Sequence, residues 1–342
     1  MTSRSHLMDG LRVVAAHVIV LHHLVSYGPL ATTLEASWPL AFEWLFDYGR
    51  FATQIFFVMA GYLSAQALCN PRLPSLGEIV RKRYVRLMPA FLLAILVVAC
   101  VVTLARPWIN QDWLTEPPTV WQWLSHALLI QDLVGQPSMT VGAWYVAIDF
   151  QLYVLLSVLV WACHRLGLGR EGMVMALALM CLTSQWYFNR DPAWDRWALY
   201  FVESYGLGAL LAWSLQPFRA GRLARMALLV CLFSALTAGL ADPRPRLLIT
   251  ALVVGVLWWG LQRWHPSRRW GAWMQRQSDT SYALFLTHFA PLVVANALWI
   301  QWGGVSAAWG TVWLAVTWCA CVGCSVIFHH SVETLTHRAW RR

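Results

Sequence analysis

Asp9, Arg12 and His23 recur at spacings that return to one face of a helix within the stretch MDGLRVVAAHVIVLHHL, Met8 to Leu24. At about 100° per residue, Asp9, Ala16 and His23 stand seven apart and drift by roughly 20° per step. Arg12 precedes His23 by eleven residues, again about 20° away. His22 points about 100° and His17 about 120° from that stripe. An imidazole titrates near neutrality, which suits proton transfer, and a carboxylate and a guanidinium below it would line a polar cleft. A hydrogen bond from His22 or His23 to a neighbouring helix would use the same residues without chemistry.

Four further groups carry ionisable side chains into or beside apolar runs. In VRKRYVRLMPAFLLA, Val80 to Ala94, Arg83 and Arg86 are three apart and share a helix face. Guanidinium groups pair with phosphates, including those of a nucleotide-derived carrier, although a basic cluster there also orients a membrane protein. In GAWYVAIDFQLYVLL, Gly142 to Leu156, Asp149 and Tyr153 face the same way and Gln151 lies between them. A carboxylate in such a run needs an arginine or histidine partner, for catalysis or as a clamp between helices. SYALFLTHF contributes Ser281, Tyr282 and His288, and HHSVE places His329, His330 and Glu333 at the end of the last apolar run. The CACVGC stretch has no clustered His or Asp and reads as small-residue packing; no metal site is expected.

The elements that must position these residues are set by composition. Of the 342 residues, 59% are hydrophobic and 12% charged, about half the charged fraction of a soluble domain. Apolar runs near 11–29, 51–69, 87–105, 141–163, 173–188, 198–216, 226–241, 247–262, 280–300 and 307–328 predict an all-α, polytopic membrane bundle of about ten transmembrane helices. With the N-terminus inside, 19 of the 25 basic residues fall in inside-facing stretches and 6 outside. Those inside are Arg4, Arg12, Arg72, Arg81, Lys82, Arg83, Arg86, Arg165, Arg170, Arg219, Arg222, Arg225, Arg263, Arg268, Arg269, Arg276, Arg338, Arg341 and Arg342. Both termini are therefore expected in the cytoplasm. The net charge of +9 sits in short clusters between apolar runs, a pattern of loops and anionic-lipid contacts that does not point to nucleic acid. In residues 107–139 the apolar part, Val120 to Val134, is too short to cross, and the stretch reads as an outward loop with an interfacial or re-entrant helix anchored by Trp113, Trp121 and Trp123. No repeat or linker divides the chain and no cleavable leader is read, so a single membrane domain over 1–342 is expected.

Taken in order, these stretches resemble the acyltransferase 3 family of integral membrane acyltransferases. The family's D-G-L-R followed by a histidine fourteen residues after the aspartate matches Asp9 to His23. FFVMAGYL, Phe56 to Leu63, resembles its second-helix motif, with Ala60 where the family has serine. Arg83, Arg86 and Pro89 match R-x-x-R-I-x-P. WYVAIDFQLY matches W-S-L-x-x-E-x-Q-F-Y, with the acidic position falling on Asp149 or Phe150. Ser281, Tyr282 and His288 match S-Y-x-x-Y-L-x-H, and Glu333 stands for the terminal glutamate.

The resemblance implies transfer of an acyl group, most often acetyl, from acyl-coenzyme A to a hydroxyl of a cell-surface or lipid-linked carbohydrate. It implies His23 as general base with Asp149 beside it in the catalytic set, and Arg12, Arg83 and Arg86 on the coenzyme A phosphates. Asp9, Gln151, Tyr153, Ser281, Tyr282 and His288 would support the site. Acyl-coenzyme A is then a co-substrate with no permanently bound cofactor, and a stand-alone enzyme of the bacterial inner membrane is expected. A non-catalytic exporter of a lipid-linked glycan is the alternative from another class, since it too would carry intramembrane charges.

Overall fold

The computed structural model describes residues 5–69, 74–109, 111–217, 219–264, 266–304 and 306–334. Arg4, Arg72, Arg338, Arg341 and Arg342, counted above as inside-facing, lie outside the described residues. Among the described residues all regular structure is helical. The helices are α1 (His6–Ser26), α2 (Pro29–Glu35), α3 (Pro39–Tyr48), α4 (Thr53–Leu68), α5 (Leu76–Ala105), α6 (Val120–Ala127) and α7 (Ala143–Arg165). There follow α8 (Gly169–Trp186), α9 (Ala198–Ser214), α10 (Arg219–Ala241), α11 (Pro245–Arg263), α12 (Arg268–Thr287), α13 (Phe289–Trp302) and α14 (Ala307–Phe328).

Among the described residues, seven helical stretches are long and apolar enough to cross a membrane, and the bent pair α12–α13 makes an eighth. The protein is a multi-pass integral membrane protein. The sequence pattern predicts about ten spans, and the difference falls on the runs 173–188 and 198–216, which form α8 and α9. Helix α9 has 17 residues, and all from Tyr200 to Ser214 are buried. It is this burial on every side that makes its hydrophobicity serve protein contacts rather than lipid. Helix α8 opens on Gly169, Arg170, Glu171 and Gly172, which dilute its apolar stretch.

The chain forms two compact units. The first comprises the described residues of Met1–Met8, Thr53–Val85 and Tyr145–His265. Its centre is the pair α4 and α9. A Cβ on Gly61 would lie 1.9 Å from the Tyr205 carbonyl oxygen, and one on Gly208 would lie 2.0 Å from that of Val58. Both helices thus press backbone on backbone, the contact that small residues permit where no water-driven burial separates protein from lipid. The Tyr205 hydroxyl donates to Ser64 Oγ at 2.8 Å and locks the pair in register.

The second unit comprises Asp9–Ala52, Arg86–Trp144 and the described residues of Pro266–Arg342. Helix α1 buries Ala15, Ala16, Ile19, Val20 and Leu24. Just past α1, the start of α2 is stitched to α13 by Asn296, whose Oδ1 accepts from Leu30 N–H at 3.1 Å. The apolar run expected at 280–300 is broken by 57° between α12 and α13. Pro291 supplies the reason: it has no N–H for the Thr287 carbonyl, and its ring would clash with that carbonyl in a continuous helix.

Within residues 107–139, helix α6 ends at Ala127, and Leu129 then turns into the left-handed region at φ 56°. Thr119 and Gln122 cap its start reciprocally. The fully buried His126 fastens its end: Nδ1–H donates to Gln122 O at 2.8 Å, and Nε2 accepts from Met139 N–H at 3.1 Å.

Two outcomes follow. Gly61→Val or Gly208→Val forces backbone apart and destabilises the fold by about 1–3 kcal/mol or more. Gly255→Ala, which meets nothing within 4 Å, stays neutral or mildly stabilising; thermal melts of the purified protein compare them. Burial holds the His126 imidazole below its usual value, with the Gln122 hydrogen bond opposing this less strongly. Its neutral form is therefore fully stabilising above about pH 6.5, and that contribution is lost as pH falls below this value toward the lowered one. The wild-type melting temperature should drop more steeply on acidification than that of His126→Gln; equal drops would contradict the assignment.

Candidate active site

Three histidines of α1 meet three different environments in the second unit. His17 Nδ1 accepts from Trp318 Nε1–H at 3.2 Å. His22 donates from Nδ1 to the Leu45 carbonyl at 2.8 Å, which ties α1 to α3. Of the three, His23 hydrogen-bonds another ionisable side chain, with its Nδ1 at 2.8 Å from His288 Nε2. The rings lie 3° from parallel with centroids 5.0 Å apart, so at that N–N distance they meet edge to edge in nearly one plane. His23 is 8% exposed and His288 1%.

The break in the α12–α13 span is what presents His288. It occupies the single residue between α12 and α13, where its Nδ1 lies 3.0 Å from the Leu284 carbonyl oxygen. Cys321 of α14 donates its thiol to the His288 carbonyl at 3.4 Å, giving one cysteine of CACVGC a specific contact. Toward the other end of α1, Arg12 Nη1 donates to Ser278 Oγ at 3.2 Å, while Asp9 is buried. Ser281 donates to the Gln277 carbonyl within α12, and Tyr282 is half-buried. Arg86 is exposed on α5.

Beyond the histidine pair, aromatic rings continue outward along the same unit. Tyr27 lies one turn past His23, with ring centroids 5.7 Å apart. Trp113 and Phe289 stand 6.0 and 5.9 Å from Tyr27 and 6.1 Å from each other. Trp113 is half-exposed, and Gln111 fixes its indole by accepting from Nε1–H. The sequence pattern marks Trp113 only as a membrane-surface anchor; its place near His23 depends on tertiary contacts.

In the first unit, Arg83 Nη2 donates to Asp149 Oδ2 at 2.7 Å, and its guanidinium lies 5.0 Å from the Tyr153 ring centroid. The partner that a carboxylate in α7 requires is thus an arginine of α5, and Tyr153 shares the contact. The Asp149 side chain is 9% exposed and that of Arg83 30%. Gln151, on a different side of α7, is half-buried.

The sequence reading passes over a second polar cluster in this unit. Ser204 Oγ lies 2.6 Å from Gln54 Oε1, 2.8 Å from Glu203 Oε2 and 3.0 Å from Thr250 Oγ1, all buried. Arg246 stacks on Tyr200 at 4.3 Å and Phe201 at 4.9 Å. Glu203 carries the signal that would have found it: a carboxylate inside an apolar run, as for Asp149. Among the described residues no group of three or more His, Cys, Asp or Glu side chains is arranged to hold a metal ion.

The pattern that defines the acyltransferase 3 family, described as an acyltransferase domain, matches residues 6–329. Over 239 residues the chain is 24% identical to "Putative peptidoglycan O-acetyltransferase YrhL" of Bacillus subtilis (strain 168). That stretch covers 63% of this chain and 34% of the relative's length. No solved structure matches. With the family match extending over nearly its whole length, this multi-pass membrane chain belongs to the acyltransferase 3 family.

Proposed function

We propose that the protein moves an acyl group, most simply acetyl, from acyl-coenzyme A to a hydroxyl of a cell-surface or lipid-linked carbohydrate, with His23 as general base. The observation that carries this reading is the buried pairing of His23 with His288 at 2.8 Å, which singles it out from His17 and His22 of the same helix. The acceptor hydroxyl gives its proton to the free nitrogen of His23 as its oxygen attacks the thioester carbonyl carbon. The tetrahedral intermediate collapses, the C–S bond breaks, and the proton passes from His23 to the departing coenzyme A thiolate. Such a base contributes about 10²–10⁴-fold.

The phosphates of the donor are assigned to Arg12, Arg83 and Arg86, since guanidinium forks match phosphate oxygens. Arg12 and His23 are eleven residues apart on one helix, about 16 Å along its axis, which an extended pantetheine arm matches in scale. Asp149 acts through Arg83: by holding one side of the guanidinium it fixes where the remaining N–H groups point. The acceptor belongs on the aromatic side, where Tyr27 and Trp113 offer flat apolar faces suited to the C–H face of a sugar ring. The name of the B. subtilis relative, a peptidoglycan O-acetyltransferase, favours the same acceptor class. The charge pattern favours both termini inside, and we place the enzyme in the bacterial plasma membrane.

Release of free coenzyme A thiol by the purified protein, followed with a thiol reagent, tests the base. His23→Ala should lower turnover about 10²–10⁴-fold, whereas His22→Ala, whose partner is a backbone carbonyl, stays near wild type. A folded His23→Ala variant with full turnover would remove His23 from the reaction. Trp113→Ala should raise KM for a glycan acceptor several-fold with little change in kcat or in KM for acetyl-coenzyme A, the signature of lost uniform binding. An unchanged acceptor KM would exclude Trp113 from the acceptor site.

A further inference from the structure

The contacts around His288 fix more than its position. Its Nδ1 lies 3.0 Å from the Leu284 carbonyl oxygen, and a carbonyl can only accept, so Nδ1 carries the proton. At 1% exposure in an apolar bundle, a second proton on the same ring would leave a buried charge, so Nε2 of His288 is a lone pair. That lone pair faces His23 Nδ1 at 2.8 Å, in the plane of both rings, where it can only accept. His23 must then supply the proton from Nδ1.

We infer that His288 is a positioning residue that sets the tautomer of His23, through a one-way chain from His23 Nδ1–H to His288 Nε2 and from His288 Nδ1–H to Leu284 O. The inference rests on the reading of His23 as the base and adds which atom does the work. His23 Nε2 is left as the basic nitrogen, and it has no hydrogen-bond partner among the described residues. Leu284 O accepts both the His288 backbone N–H at 3.2 Å and its ring N–H. Among the described residues no other hydrogen bond competes for His23 Nδ1: His22 is turned to Leu45, and Tyr27 meets the imidazole through its ring.

The proton that moves in the reaction arrives at and leaves from Nε2 alone. When Nε2 takes the acceptor proton, His23 becomes an imidazolium whose Nδ1–H bond to a neutral acceptor strengthens, since the donor is now charged. His288 thereby also steadies the cationic form of the base while remaining neutral and touching no reacting atom.

The tautomer is directly observable. With ¹⁵N-labelled histidine in the full chain in lipid nanodiscs, ring-nitrogen shifts separate protonated from bare nitrogens, and the His23 signals are those lost in His23→Ala. The wild type should show His23 protonated at Nδ1 and bare at Nε2. His288→Leu, which keeps bulk but removes the acceptor, should give mixed tautomers and a kcat loss between about tenfold and 10⁴-fold, the latter being the size reached when a triad histidine is held in the wrong tautomer. KM for acetyl-coenzyme A should not move. His288→Gln, whose amide oxygen can accept from Nδ1, should recover part of both the tautomer and kcat. A wild-type His23 protonated at Nε2 would overturn the proposal, and that spectrum decides even if neither variant folds. If His23→Ala retained full turnover, the base assignment would fall while the tautomer assignment stood or fell on its own spectrum.

Discussion

A polar group carried out of water must find its partner inside the protein. An ionisable side chain at the centre of a membrane helix costs roughly 2.5–3.5 kcal/mol on insertion scales, and each such residue here is tied to a specific neighbour. Arg83 meets Asp149, Arg12 meets Ser278, and His17, His22 and His23 meet an indole, a carbonyl and a second imidazole respectively. These pairings select the arrangement of helices, because a lipid-facing alternative would leave the same groups unpaired. Apolar packing alone specifies less in a bilayer, where lipid tails compete equally with side chains.

Within that constraint the two units solve different problems. The first presses α4 against α9 through glycines and a Tyr205–Ser64 hydrogen bond, which makes a close scaffold for the Arg83–Asp149 pair. The second breaks a span at His288, giving up helix continuity so that one side chain can turn between its own backbone and α1. Around the break, Leu284 O and His288 O keep backbone N–H partners, and each also takes a side-chain donor, the His288 ring N–H and the Cys321 thiol. The chemistry thus sits at the point where regular structure is interrupted.

Much of this is legible in the sequence. All ten apolar runs are helical, and the periodicity of α1 separates His23 from His22 without tertiary information. The need of Asp149 for a basic partner follows from its surroundings, but the choice of Arg83 does not, because pairing between α5 and α7 is a tertiary fact. The burial of α9 was likewise hidden, since a lipid-facing helix and a protein-enclosed helix have the same composition. The bend at His288 leaves one trace, Pro291, whose missing N–H marks the break to a reader who asks where the Thr287 carbonyl bonds. The length of α6 is not legible in composition, because apolar residues continue to Val134 whereas the helix stops at Ala127, just before the left-handed Leu129.

The account turns on one imidazole moving one proton between an acceptor hydroxyl and a thioester. The most direct measurement is transfer of radiolabelled acetyl from acetyl-coenzyme A to a defined glycan acceptor by the purified protein in nanodiscs, wild type beside His23→Gln at matched thermal stability. The account predicts label on a glycan hydroxyl with the wild type and a loss of about 10²–10⁴-fold with the variant. Undiminished transfer by the variant would contradict it.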